Sequence, residues 1–219
     1  MKSLPAIMFI TAALLAMSAG IWLGKTSDDN VSLKPARIQG AIYPQAKVLN
    51  DFELINHLSE NVNKSLFKNQ WSLIFVGYTQ CPDICPTTLS VMNQAYEQMH
   101  KNHLTSPQII FFSVDPQRDT PDMLKQYVEY FNKNFIGITG SLDDINKLSA
   151  QLNAVFRKAP GSNGEITDTD YLIDHSSALM LINPLGELQS ILTAPHMPGT
   201  IIESIINSQA YFEAINHNS

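Results

Sequence analysis

A chain of 219 residues that is 44% hydrophobic and 16% charged has room for one domain with a substantial core, and its composition excludes a disordered chain or two large domains. Its net charge of −6, with no Lys/Arg cluster, leaves no electrostatic footprint for a nucleic-acid backbone, so nucleic acid is excluded as a partner.

The run from Leu4 to Gly24 carries no charged residue. As a helix rising about 1.5 Å per residue it roughly matches a hydrocarbon core about 30 Å thick, so residues 1–24 read as one N-terminal transmembrane anchor. A signal peptide cut after Gly20, with Ser18 and Gly20 as its small residues, is the competing reading, but its apolar region would span only about 7–15 residues. Lys2 before the run and Lys25, Asp28 and Asp29 after it are too balanced to orient the span. No Arg-rich amphipathic transit peptide is present, which favours a bacterial membrane over organelle import.

Residues 25–45 are polar, with Pro35, Gly40 and Pro44, and read as a tether to a domain over residues 46–219 that opens with a strand or hairpin near Val48–Ile55. From Trp71 onward apolar strands alternate with helical stretches, the order of an α/β sheet with helices on its faces. Strand Ser72–Tyr78 runs into Cys81-Pro-Asp-Ile-Cys85-Pro and a helix to about Met99, with Leu89, Met92 and Tyr96 at helical spacing. Strand Gln108–Val114 runs into Asp115-Pro-Gln-Arg118-Asp-Thr120-Pro121, where Thr120 caps and Pro121 opens the next helix. Phe135–Thr139 reads as a strand, Ser141 to about Phe156 as an amphipathic helix and Ala159–Asp170 as a loop. Strands Ser177–Ile182 and Leu188–Leu192 flank the turn Asn183-Pro184-Leu185-Gly186, and Thr200-Ile-Ile-Glu203 has the capping-box pattern of a last helix.

The chain's two cysteines fall together as Cys81-x-x-x-Cys85, and outside the cytoplasm such a pair is a disulfide, a redox couple or a soft-metal site. A static disulfide closing so short a loop adds little stability on the loop-entropy account. Thiols at the start of a helix meet its positive end and its orphan N–H groups, which favour thiolate, the form that binds metal. Pro82 and Pro86 restrict the backbone around them.

Gly77-Tyr-Thr-Gln-Cys81-Pro-Asp-Ile-Cys85-Pro-Thr-Thr-Leu89 resembles the signature of the Sco (SenC) copper proteins of cytochrome c oxidase assembly. Ser113-Val-Asp115-Pro-Gln-Arg118-Asp-Thr-Pro121 and Tyr171-Leu-Ile-Asp174-His175-Ser176 resemble that family's later blocks, and the likeness spans roughly residues 40–215. The resemblance implies a thioredoxin-like α/β fold, a central mixed sheet flanked by helices, and copper bound by Cys81, Cys85 and His175. Soft thiolates suit Cu(I), imidazole accepts either oxidation state, and a structural zinc site would want a fourth protein ligand. The implied partners are the copper-bearing subunit of a cytochrome c oxidase and a periplasmic copper donor or thiol reductant. The soluble domain is expected on the periplasmic side of a bacterial inner membrane.

Two functions compete. One is a metallochaperone that passes copper by ligand exchange between thiolates. The other is a thiol-disulfide oxidoreductase, with Cys81 as nucleophile and Cys85 as resolving thiol. Thioredoxins use C-x-x-C and place a proline before the strand corresponding to Ser177–Ile182, where this chain has His175-Ser-Ser. A peroxiredoxin reading fails because Tyr78 and Pro82 stand three residues before the cysteines, where those enzymes need Thr. Asp83 and Asp115 read as loop carboxylates that cap backbone or orient a ligand, and Arg118 with Asp119 as a local turn-stabilising pair. His57, His100, His103, His196 and His217 read as ordinary surface histidines. Gln80 departs from the family's usual His before the first cysteine, a position outside the three ligands.

Overall fold

The structure is a computed structural model that describes Met17 and residues 38–216. The expected anchor over residues 1–24, Met17 apart, and most of the expected tether lie outside the described residues. Among the described residues no helix is long and apolar enough to cross a membrane.

The described fold belongs to the unit Pro35–Ser219. Its centre is an eight-stranded mixed sheet of β1 (Gly40–Val48), β2 (Leu54–Asn56), β3 (Asn61–Val62), β4 (Ser72–Gly77), β5 (Gln108–Ser113), β6 (Ile136–Thr139), β9 (Leu179–Ile182) and β10 (Glu187–Leu192). The order across the sheet is β1-β10-β9-β4-β5-β6-β2-β3. β4 lies in the middle and is buried at every position, as a strand covered on both faces must be. It pairs in parallel with β5 and antiparallel with β9. Four helices accompany the sheet: α1 (Ile84–Lys101), α2 (Pro121–Phe131), α3 (Leu142–Gln151) and α4 (Pro198–Asn216). α1 packs against α4 and α2 against β6. The edge-on pair Trp71–Phe212, with ring centroids 5.3 Å apart, joins α4 to the start of β4.

β7 (Phe156–Pro160) and β8 (Tyr171–His175) stand apart as an antiparallel hairpin, a sheet of two strands. β7 occupies part of the stretch expected as helix end and loop, because α3 stops at Gln151 and pairing with β8 decides the conformation. Three other expectations shift. β1 begins at Gly40 and takes in residues expected as tether, while β2 is a short strand paired to β3 and β6. α4 starts at Pro198 rather than at the capping-box Thr200, because proline's missing N–H costs nothing in a first turn.

The parallel strands β4 and β5 end side by side, and one carboxylate ties off both ends. Asp119, fully buried, accepts from Thr79 N at 2.9 Å, Thr79 Oγ1 at 2.6 Å and Ser113 Oγ at 2.6 Å. Burial raises its pKa, opposed by those hydrogen bonds. Asp119→Ala strands three buried or half-buried donors, at about 1–3 kcal/mol each. Denaturant unfolding is expected to show a loss of about 3 kcal/mol or more, with Asp119→Asn clearly milder; an Ala variant as stable as wild type contradicts this role.

Candidate metal centre

Cys81 sits in the loop that leaves β4, and Cys85 in the first turn of α1. Asp83 stands at the helix N-cap but makes no side-chain cap bond. The Cys81 sulfur takes that place, accepting from Cys85 N at 3.3 Å. Both cysteines are free, Cys81 at 8% exposure and Cys85 at 0%. Gly77 is required behind them: a Cβ there would lie 2.8 Å from Cys85 Sγ and 2.8 Å from the Phe111 ring.

His175 arrives on β8, 90 residues along the chain, with Nε2 3.3 Å from Cys85 Sγ. Its Nδ1 lies 3.1 Å from the Ser176 carbonyl, which only an N–H can satisfy, so the lone pair falls on Nε2 and points at the thiols. Phe75 and Tyr78 meet the imidazole edge-on, with centroids 5.8 and 6.0 Å away. The three donor atoms of Cys81, Cys85 and His175 all lie within 4.8 Å of one another. An ion with bonds of about 2.0–2.3 Å in a trigonal plane needs donors roughly 3.5–4 Å apart, so the site closes on a metal with little movement. Two thiolates and an imidazole are a donor set that suits copper.

The thiols are unequal. The Cys85 hydrogen bond, more than any other contact, pulls the Cys81 thiol well below its ordinary range; burial opposes it, and the N–H groups of Cys85 and Asp83 add to it. Cys85 moves the other way, holding its proton beside the Cys81 sulfur and deep in the core. That proton is held toward the Cys81 sulfur, and this is what keeps the charge on Cys81.

The remaining candidates fall elsewhere. Asp174 turns away from the site and pairs with Arg157 at 3.0 Å, as alternation along a strand demands. Asp115 does not face the thiols; it is buried against Tyr171 and Arg118. Arg118 pairs with Asp115 and not with Asp119, which is turned inward to Thr79 and Ser113. Sequence reasoning missed both roles, although two carboxylates and an arginine at the carboxyl end of a strand were a visible signal. His57 is a correction too: it is buried, and its Nδ1 accepts from Gly137 N at 3.2 Å. His196 is half-buried and reaches the Ser177 carbonyl at 2.7 Å, His100 and His103 are exposed, and His217 lies outside the described residues. Gln80 accepts from Arg118 at 3.3 Å. A cleft of about 310 Å³ opens beside the site, between the thiol loop at Cys81, Pro82 and Ile84 and the β8 strand from Leu172 to His175.

A mixed sheet flanked by helices, with a reactive thiol pair where a central strand meets a helix, defines a thioredoxin-like protein, here with an imidazole brought to the thiols. Residues 41–209 match the SCO1/SenC family, and the chain belongs to that family. It is 36% identical over 171 residues to an SCO2-like protein of Rickettsia felis, covering 78% of this chain and 82% of that one. Two solved structures are similar: Bradyrhizobium japonicum ScoI with copper bound, at 30% identity, TM-score 0.63, and coverage of 75% of this chain and 99% of that one; and Arabidopsis thaliana ScoI with copper bound, at 27% identity, TM-score 0.67, and coverage of 74% and 98%.

The unequal thiols set a pH signature. An ordinary thiol of pKa about 8.5 loses roughly 80-fold in alkylation rate between pH 8 and pH 6, whereas Cys81, already thiolate, is expected to change little. Mass-spectrometric mapping of iodoacetamide adducts reads this directly; a Cys81 rate falling in step with a free thiol contradicts the assignment.

Proposed function

We propose that the chain is a copper metallochaperone that binds copper through Cys81, Cys85 and His175 and assists assembly of the dinuclear copper centre of a cytochrome c oxidase. The observation that carries this reading is the convergence of the three donors from two distant segments, with the imidazole lone pair aimed at the sulfurs. Family membership and similarity to two ScoI proteins with copper bound support it.

The residues divide the work. Cys81, thiolate before metal arrives, is the first point of attachment. Cys85 gives up its proton as it ligates, and His175 Nε2 then turns from hydrogen-bond partner to ligand without a change of tautomer. Three ligands leave a coordination position open on the cleft side, through which an acceptor thiolate can exchange with Cys81 or Cys85. The acceptor in this reading is the copper-bearing oxidase subunit. Residues 1–24 anchor the chain in a bacterial inner membrane, a tether follows, and the domain stands on the periplasmic side; the charge-free run Leu4–Gly24 and a thiol pair suited to an extracytoplasmic compartment support this.

The inequality of the thiols favours a second reading, thiol-disulfide exchange on cysteines of an oxidase subunit or another cuproprotein. A low-pKa, slightly exposed Cys81 would attack, and the buried, protonated Cys85 would resolve the mixed disulfide.

Replacing His175 with Ala separates the two. Copper delivery requires that Cu(II) binding and oxidase assembly fall together in His175→Ala; assembly at the wild-type level removes His175 from the ligand set. Thiol exchange requires that His175→Ala keep most activity while Cys81→Ser loses all of it. In sealed cells a membrane-impermeant maleimide added outside is expected to label Cys81, and labelling from the cytoplasmic side alone contradicts the orientation.

A further inference from the structure

The strand that carries His175 shares no hydrogen-bond ladder with the main sheet. β7 and β8 make a sheet of two, and an isolated two-stranded hairpin is marginal in water. Side chains hold it in place: the Tyr78 hydroxyl oxygen accepts from the Ile173 N–H, and a cluster from the loop after β5 grips the strand at Tyr171. Tyr171 Oη donates to Asp115 Oδ1 at 2.6 Å, and Arg118 pairs with the other oxygen of that carboxylate. Arg118 Nη1 donates to the Tyr171 carbonyl at 2.9 Å and to Gln80 Oε1 at 3.3 Å. The guanidinium carbon lies 3.6 Å from the centroid of the Tyr171 ring, and Lys158 Nζ lies 3.8 Å from the same centroid. Asp115 and Tyr171 are each 2% exposed. One guanidinium thus touches both segments that supply ligands, since Gln80 precedes Cys81 and Tyr171 lies four residues before His175.

β8 transmits that hold as a lever. Tyr171 and Ile173 are buried and His175 half-buried, while Leu172 and Asp174 between them are exposed, so the first three share one face of the strand. Four residues at about 3.3 Å each set the latch and the imidazole about 13 Å apart. A tilt of about 5° about the latch moves the imidazole by roughly 1 Å, beyond the tolerance of about 0.5 Å for a functional constellation.

We propose that Asp115, Arg118 and Tyr171 form a positioning latch that sets the third ligand and thereby decides which copper oxidation state the protein retains. With the latch closed, His175 completes the site for either state. With it loosened, two thiolates remain, and these hold Cu(I), the soft ion, while Cu(II) loses the imidazole it needs. The proposal rests on the ligand assignment in the function proposed above.

The test uses the full chain in detergent, with Tyr171→Phe and Arg118→Met, the former also in a His175→Ala background. Cu(II) affinity is read from the thiolate charge-transfer band, Cu(I) affinity by competition with a chromophoric chelator, and folding by melting temperature. Tyr171→Phe, which keeps the ring stack, is expected to weaken Cu(II) about three- to tenfold, the size of one net hydrogen bond, and Arg118→Met by more. Cu(I) affinity is expected to stay within about threefold, and Tyr171→Phe to add nothing once His175 is Ala. If Arg118→Met fails to fold, Tyr171→Phe decides. Cu(I) and Cu(II) affinities falling in parallel with melting temperature, an unchanged Cu(II) affinity, or an equal Tyr171→Phe effect without His175 each overturns the latch. Unchanged Cu(II) binding in His175→Ala alone instead removes the ligand assignment on which the latch depends.

Discussion

The metal donors come from two pieces of chain with no backbone hydrogen bond in common, so the site depends on buried charge at the ends of β4 and β5. Asp119 holds the root of the thiol loop to both strand ends through Thr79 and Ser113. Asp115 and Arg118, within four residues of it, hold the His175 strand. A buried carboxylate or guanidinium is costly unless its partners are in place, which makes both anchors close to all-or-none. The same constraint ties three separated sequence blocks to one site: one supplies thiols, one supplies the anchors, and one supplies the imidazole.

The site is poised without metal. Cys81 is charged because Cys85 and backbone N–H groups are turned toward it, and Cys85 is neutral because it is buried beside that charge. The Ser176 carbonyl fixes the histidine tautomer before a ligand is needed. Ligand binding then releases one proton, from Cys85, and asks for a contraction among donors already within 4.8 Å. A site assembled this way gives up little of its binding energy to reorganisation, and its open cleft side leaves a path for transfer to another protein.

Much of the fold was legible because its signals are local. Apolar runs gave β4, β5, β6 and β9, helical spacing gave α1 and α3, and Thr120-Pro121 gave the start of α2, where the Thr120 side chain does accept from Met123 N. The thiol pair was legible as a weak motif, and His175 only through a resemblance across three blocks. What the sequence hid is non-local. β7 is a strand because β8 lies beside it, although its ends read as helix end and loop. Arg118 chose Asp115 over the adjacent Asp119 because Asp119 was already buried under Thr79 and Ser113. His57 went inside because β2 pairs with β6, a contact of 80 residues' separation sealed by Gly137 N on its ring.

The central claim is that copper is held by two sulfurs and one imidazole nitrogen of a single chain. X-ray absorption at the copper edge of the reduced, Cu(I)-loaded protein tests it most directly. The account predicts one copper per chain with two sulfur neighbours at about 2.2–2.3 Å and one nitrogen at about 2.0 Å, distances of the order found for thiolate and imidazole on a d¹⁰ ion. A shell without sulfur, or one whose nitrogen persists unchanged in His175→Ala, would contradict it.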